Sequence, residues 1–208
     1  GTTDIAIFHD GIIRHTAVIP FGGNVITEDI KEGCTIMHRQ AELLKTKFGT
    51  ALSNQSQENE IVCIPGLRGR DPKEISVKNL SNIINARMAE IIDHVYYEIK
   101  NSGYEKKLIG GIVVTGGGSQ LKHISQLFEY ATGMDARIGF PNEHLSSNTS
   151  NNLTSPLFAT GVGLVAKGFE NFDKVLASKA YINTRTHSEK TKGGFFDKIK
   201  NFFDESVD

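Results

Sequence analysis

Two short apolar runs rich in β-branched residues, at positions 4–8 and 12–19, flank His9, Asp10 and Gly11, a pattern that predicts a β-hairpin. Pro20, Phe21, Gly22 and Gly23 break it. Apolar spacing then turns helical over residues 26–33 and 36–48, and Gly49 closes the second helix. The polar stretch 53–59 reads as a loop and residues 60–64 as a strand ending at Pro65 and Gly66. The longest element is a helix. Leu80, Ile83, Ile84, Met88, Ile91, Ile92, Val95 and Ile99 share its buried face, with Ser76 as N-cap and Gly103 past its end. A buried strand at 109–115, three glycines, a helix from about 121 to 131 and a strand at 136–140 then form a βαβ-like unit.

A Ser- and Asn-rich loop at 144–155 leads into an apolar stretch, 157–169, read as a packed helix in which Gly161 and Gly163 permit close approach. Residues 179–194 are polar and poor in apolar side chains, the composition of a linker, so the last residues form a module of their own.

At 208 residues the chain suffices for one ordinary domain or two small ones. Its 23 basic and 24 acidic side chains nearly cancel, so no global field favours nucleic acid, and Arg68, Arg70 and Lys73 read as a solvated loop. Cys34 and Cys63 stand far apart with no CxxC and no histidine at zinc-ligand spacing, which predicts neither a disulfide scaffold nor a structural metal and suits a reducing cytoplasm. No apolar run approaches the ~20 residues needed to cross a bilayer, and residue 1 opens directly into a Gly-Thr-Thr turn without an initiator methionine. The expectation is a fragment of a longer protein that does not span a membrane.

Two glycine-rich turns carry the candidate chemistry. Gly1, Thr2, Thr3 and Asp4 open the first strand, where backbone N–H and hydroxyl groups can approach phosphate oxygens; in isolation the tetrapeptide equally suits a plain turn. Val113, Val114, Thr115, Gly116, Gly117, Gly118 and Ser119 carry a buried strand into three glycines ahead of a helix, more than a tight turn needs, and favour a flat ligand or phosphate against the backbone. Glu42 and Lys45, three residues apart on one helix, could set a carboxylate and an ammonium beside a ribose or base, or be an ordinary solvated pair. There is no GxxxxGK[ST] loop, and the GxGxxA match at 161–166 does not follow a strand. No Ser-His-Asp, HExxH or paired-carboxylate motif stands out, so no catalytic constellation is assigned.

Taken in order, GTTDIAIF, HTAVIPFGG, ITEDI, AELLK, IPGLRGRDPKEIS, INARMAEI, EIKNSGY, GGIVVTGGGSQL and SPLFATGVGL resemble the FtsA type of bacterial cell division protein, within the actin and heat-shock chaperone ATPase superfamily. The resemblance runs to about Phe169. It implies an α/β fold, the second half of a duplicated ribonuclease-H-like architecture. A core subdomain over 1–27 and 104–178 would be interrupted by a smaller one over 28–103, followed by the linker 179–194 and a tail helix 195–208. It implies ATP as ligand, with Mg2+ in the full-length protein. Gly1, Thr2 and Thr3 would belong to the second phosphate loop, Glu42 and Lys45 to the nucleoside-contacting helix, and Gly116, Gly117 and Ser119 to the adenosine loop. Half a cleft is expected to bind ATP poorly, and any activity to be at most a weak ATPase. The alternatives are an actin-like pilus or cell-shape protein and a sugar-kinase-type phosphotransferase.

Arg87 falls inside the apolar arc of the longest helix, near His94 and Glu90, and is therefore either paired within the fold or offered to a partner. In FtsA-like proteins this helix docks the C-terminal peptide of tubulin-like FtsZ, which makes Arg87 and Glu90 the candidate contacts. The resemblance further implies filaments formed with other copies of the chain. Phe195, Phe196, Ile199, Phe202 and Phe203 make one narrow helical stripe with Lys192, Lys198 and Lys200 beside or opposite it, the pattern of a membrane-surface anchor. The resulting expectation is a cell division adaptor at the cytoplasmic side of the membrane, at the septum.

Overall fold

The computed structural model describes residues 1–56, 59–66, 69, 71–143, 145–146, 152–172 and 174. Residues 1–159 make one compact unit and residues 160–208 a second. In the second unit, residues 160–172 are helical, with Leu164, Val165, Phe169 and Phe172 exposed. Nothing lies within 4 Å of where a Cβ on Gly161 or Gly163 would sit, so the close packing expected of those glycines is not formed.

The hairpin forms as predicted. Strand β1 (Thr3–His9) pairs antiparallel with β2 (Ile12–Ile19), and the two-residue turn between them places Asp10 at φ 54° and Gly11 at φ 71°. Both central residues with positive φ define the turn whose twist matches a hairpin. Ile7 and Ile19 are its buried members.

Helix α1 (Gly23–Cys34) begins immediately after Gly22, and α2 (His38–Phe48) follows through a short turn. Strands β3 (Ile61–Ile64) and β4 (Lys73–Ser76) pair antiparallel. β4 carries a single buried residue, Ile75, too little pattern to be read from sequence.

Helix α3 (Val77–Asn101) is the spine of the core. The Ser76 side chain accepts a hydrogen bond from the Asn79 N–H at 3.4 Å, as the N-cap position requires. Of the eight apolar residues placed on its inner face, all but Ile83 are buried. They pack in one cluster with Ile26 and Ile30 of α1 and Ala41 and Leu44 of α2. Fully burying such a side chain contributes about 1.5–3 kcal/mol, so this face fixes where α1 and α2 sit.

Strand β5 (Ile112–Val114) runs parallel to β6 (Ala136–Ile138), with α4 (Ile124–Thr132) between them in sequence. β5 is shorter than the expected 109–115. Gly111, at φ 68°, closes a turn onto the Leu108 carbonyl, which leaves Ile109 95% exposed. α4 starts at Ile124 because a 3-10 turn over Gly117–Gln120 comes first and His123 then adopts a left-handed conformation.

Candidate functional site

The start of β1 lies against the start of α1. A Cβ on Gly22 would stand 3.1 Å from the Thr2 carbonyl oxygen and 3.4 Å from that of Gly1, so the close approach depends on glycine at position 22. Thr3 Oγ1 donates to the Phe21 carbonyl at 2.9 Å, fixing the return of the chain. The hydroxyl of Thr2 donates to Asp4 Oδ2 at 3.1 Å.

From α2, Lys45 reaches the first turn of α1. Its Nζ donates to the Gly23 carbonyl (2.9 Å), to Thr27 Oγ1 (2.7 Å) and to Glu42 Oε2 (2.7 Å). Thr27 Oγ1 lies 2.5 Å from the same Glu42 oxygen. Thr27 is fully buried, the Lys45 side chain is 11% exposed and that of Glu42 is 44% exposed. Burial pushes the Glu42 carboxyl up, but hydrogen bonds from Lys45 and Thr27 and the Lys45 charge outweigh it and hold the carboxyl below its ordinary value. Glu42 and Lys45 are thus no ordinary solvated pair. They close around a buried hydroxyl that the sequence reading did not single out.

The three glycines stand elsewhere on the unit. Gly116 adopts φ 87° and donates its N–H to the Pro156 carbonyl at 3.1 Å, while its own carbonyl accepts from the backbone N–H (3.2 Å) and hydroxyl (2.8 Å) of Ser119. No atom lies within 4 Å of a Cβ at Gly116 or Gly118, so the backbone there is open. A hollow of about 390 Å³ adjoins the loop, lined by Ser119, Gln120, Ile138, Phe140, Thr154, Ser155 and Pro156. The end of α2 ties to this region: the Ala51 N–H donates to the Lys122 carbonyl at 2.9 Å, and Thr50 Oγ1 shares a hydrogen bond with His123 Nδ1 at 2.8 Å. The structure therefore gathers Gly1, Thr2, Glu42 and Lys45 around the first turn of α1. Gly116, Gly117 and Ser119 connect to that group through the residues following α2.

Arg87 on α3 is paired within the fold. Its guanidinium holds Asp29 of α1 through both carboxylate oxygens (Nε–Oδ2 2.5 Å, Nη2–Oδ1 3.0 Å) and Glu90 through Nη1 at 2.5 Å. Hydrogen bonding to Asp29 raises its pKa further, against the effect of burial. One turn along α3, Glu90, Asp93, His94 and Tyr97 line an open hollow of about 440 Å³, and Phe21 meets the His94 ring edge-on at 5.1 Å. Among the described residues no cluster of His, Cys, Asp or Glu could hold a metal ion, and no helix is long and apolar enough to cross a membrane.

Comparison with known proteins decides the family. The model of the family "Cell division protein FtsA" matches residues 1–163. The chain belongs to the FtsA family. It is 36% identical over 170 residues to the FtsA of Pseudomonas aeruginosa, covering 82% of this chain and 40% of that protein. To the FtsA of Borreliella burgdorferi it is 38% identical over 206 residues, covering 94% and 48%. The chain thus spans less than half the length of these FtsA relatives. Among solved structures it is similar to MreB 5 of Spiroplasma citri bound to AMPPNP, with a TM-score of 0.64, 23% identity and coverage of 86% of this chain and 53% of that one. The expected fold stands at that level: this FtsA-family chain has an α/β, actin-like ATPase fold.

The tail residues Phe195, Phe196, Ile199, Phe202 and Phe203 lie outside the described residues, as do Arg68 and Arg70. Two residues of the clusters escaped the sequence reading, Thr27 and Asp29. Thr27 carried a usable signal, since it falls between Ile26 and Ile30 on the buried face of α1, a polar residue inside an apolar arc. Asp29 carried none.

Proposed function

We propose that the full-length protein is a cell division adaptor that binds ATP, assembles with copies of itself as an actin-like filament, and joins FtsZ filaments to the cytoplasmic face of the membrane at the septum. Membership of the FtsA family supports this reading, and the observation that carries the nucleotide part is the carboxylate of Glu42. It is held charged and half-exposed at the first turn of α1, beside the backbone of Gly1 and Thr2. A charged carboxylate accepts hydrogen bonds only and suits sugar hydroxyls. The open backbone at Gly116 and Gly118 suits a nucleoside or phosphate that must approach closely. The residues present therefore fit the nucleoside end of ATP, with Gly1, Thr2 and Thr3 offering backbone and hydroxyl groups toward its phosphates. Mg2+ would accompany the phosphates in the full-length protein, and any turnover would be that of a weak ATPase. Calorimetric titration of ATP into the full-length protein is expected to saturate at one site per chain. A flat titration removes the nucleotide reading.

The partner part rests on α3. Glu90, Asp93, His94 and Tyr97 form a hollow with two carboxylates and an aromatic ring, suited to a short peptide with basic and apolar side chains. The FtsZ C-terminal peptide is the proposed occupant, with Glu90 as direct contact and Arg87 holding Glu90 in place. The tail supplies the membrane part: four phenylalanines and an isoleucine on one stripe would anchor reversibly at a lipid surface. Vesicle sedimentation of the full-length protein is expected to fall on removal of residues 194–208, and equal sedimentation refutes the anchor.

A further inference from the structure

Resting on the nucleotide reading above, we infer that Thr27 is a positioning residue for recognition of the nucleoside sugar, and that Lys45 acts through it without touching the ligand. As sequence, Lys45 resembles a phosphate or ribose contact. In the structure its ammonium has no donor to give. A lysine carries three N–H groups, and three acceptors take them: the Gly23 carbonyl at 2.9 Å, Thr27 Oγ1 at 2.7 Å and Glu42 Oε2 at 2.7 Å.

Thr27 then has only one arrangement available. Its oxygen accepts from Lys45, so its single proton goes to the nearer of the two remaining acceptors, Glu42 Oε2 at 2.5 Å in preference to the Gly23 carbonyl at 3.3 Å. Glu42 Oε2 thereby receives two donors, while Oε1 takes none among the described residues. The carboxylate is fixed at one oxygen and offers the other from a side chain that is 44% exposed. An acceptor-only group so placed selects hydroxyl donors and repels phosphate, which assigns the cluster to the sugar end of a nucleotide. Thr27, with no exposed surface, cannot contribute by contact. It contributes by holding Glu42 in a single orientation, the supporting role that a buried hydrogen-bonded partner plays for a ligand-binding group.

The test compares ATP with 2′,3′-dideoxy-ATP, which lacks both sugar hydroxyls, in calorimetric titrations of the full-length protein. The unaltered protein is expected to prefer ATP by about tenfold, the order that hydrogen bonds to a charged group supply. Thr27→Val removes the hydroxyl at nearly constant volume. It is expected to lower ATP affinity to the dideoxy level and to leave dideoxy-ATP affinity within about twofold, while Thr27→Ser restores the preference. Lys45→Met is expected to repeat the Thr27→Val pattern. Retention of the preference in Thr27→Val overturns the inference, as does a Lys45→Met variant that loses dideoxy-ATP as strongly as ATP. Should Thr27→Val fail to fold, Thr27→Cys, a weaker donor, is expected to show an intermediate preference, and an unaltered preference there counts against the inference equally. If the unaltered protein binds neither nucleotide, the nucleotide reading itself falls and takes the inference with it.

Discussion

The two sides of α1 meet their neighbours through clusters that look alike in sequence and differ in depth. On one side Thr27, fully buried, joins the Glu42–Lys45 pair of α2. On the other Asp29, 26% exposed, grips Arg87 of α3, itself paired with Glu90. Both Glu42–Lys45 and Arg87–Glu90 are opposite charges three residues apart on a helix, the kind of pair that contributes a few tenths of a kcal/mol when solvated. What separates them from that ordinary case is a third group supplied by α1. A buried hydroxyl on one side and a carboxylate on the other turn local pairs into contacts that also set the distance between helices.

The comparison breaks most visibly at Arg87. Arg87→Glu places a carboxylate against Asp29 and Glu90, and a loss of about 2–3 kcal/mol is expected from the broken charge-assisted bonds and the new repulsion. A lower urea midpoint at unchanged slope would record it, and the exchanged pair Asp29→Arg with Arg87→Asp should recover most of the loss. Loss of FtsZ-peptide binding in Arg87→Glu alone would therefore mix a folding effect with a binding effect. Glu90 is the cleaner probe of the surface.

On the deeper side, Thr27→Val is expected to cost about 1–2 kcal/mol, since it leaves Lys45 short of an acceptor and Glu42 short of a donor in a nearly dry setting. Thr27→Ser should stay close to the unaltered protein in the same denaturant series. An equal loss in Ser and Val would mean that the methyl group, and not the hydroxyl, holds the helices.

A smaller effect separates the clusters by pH. Glu42 is depressed in the folded protein from an ordinary value of 4.5, so its contribution is fully present above that value and disappears as pH falls from it through the folded value. Between neutrality and pH 5 stability should not change on this account. Below pH 4.5 the unaltered protein should lose stability more steeply than Glu42→Gln, with the difference moderated by the exposure of the carboxylate. Parallel curves would show that the carboxylate is not held as described.

The smallest effect belongs to a third pair, Glu28 and Lys31, also three residues apart and also on α1, with side chains 45% and 42% exposed. His38 stands 3.3 Å from the same glutamate, but no buried group joins it. Lys31→Ala is expected to leave the urea midpoint unchanged. A loss comparable to that of Thr27→Val would abolish the distinction between pairs that carry a third, buried partner and pairs that do not.

The hairpin, α3 with its Ser76 cap, and the order of β5, α4 and β6 were legible because each is written in local pattern: alternation, helical spacing, a capping hydroxyl. The ends of β5 and α4 were not. A positive φ at Gly111 and a 3-10 turn after Gly116 are set by backbone geometry that apolar spacing does not record. For the site, Glu42, Lys45, Arg87 and Glu90 were readable as charged residues at helical spacing, and Arg87 also as a charge inside an apolar arc. Their partners were less so. Thr27 obeys the same rule as Arg87, a polar group on a buried face, and was accessible by that argument. Asp29 is an ordinary charged residue until α3 is packed beside it, and only tertiary structure gives it a role.

The most direct test asks whether the two sides of α1 serve two different ligands. ATP and the FtsZ C-terminal peptide are titrated in turn into the full-length protein carrying Glu42→Gln and into the same protein carrying Glu90→Lys. Glu42→Gln should weaken ATP about tenfold and leave the peptide unchanged, and Glu90→Lys should weaken the peptide to a similar degree and leave ATP unchanged. If either substitution moves both ligands, or neither ligand, the assignment of one cluster to the nucleotide and the other to the partner is contradicted.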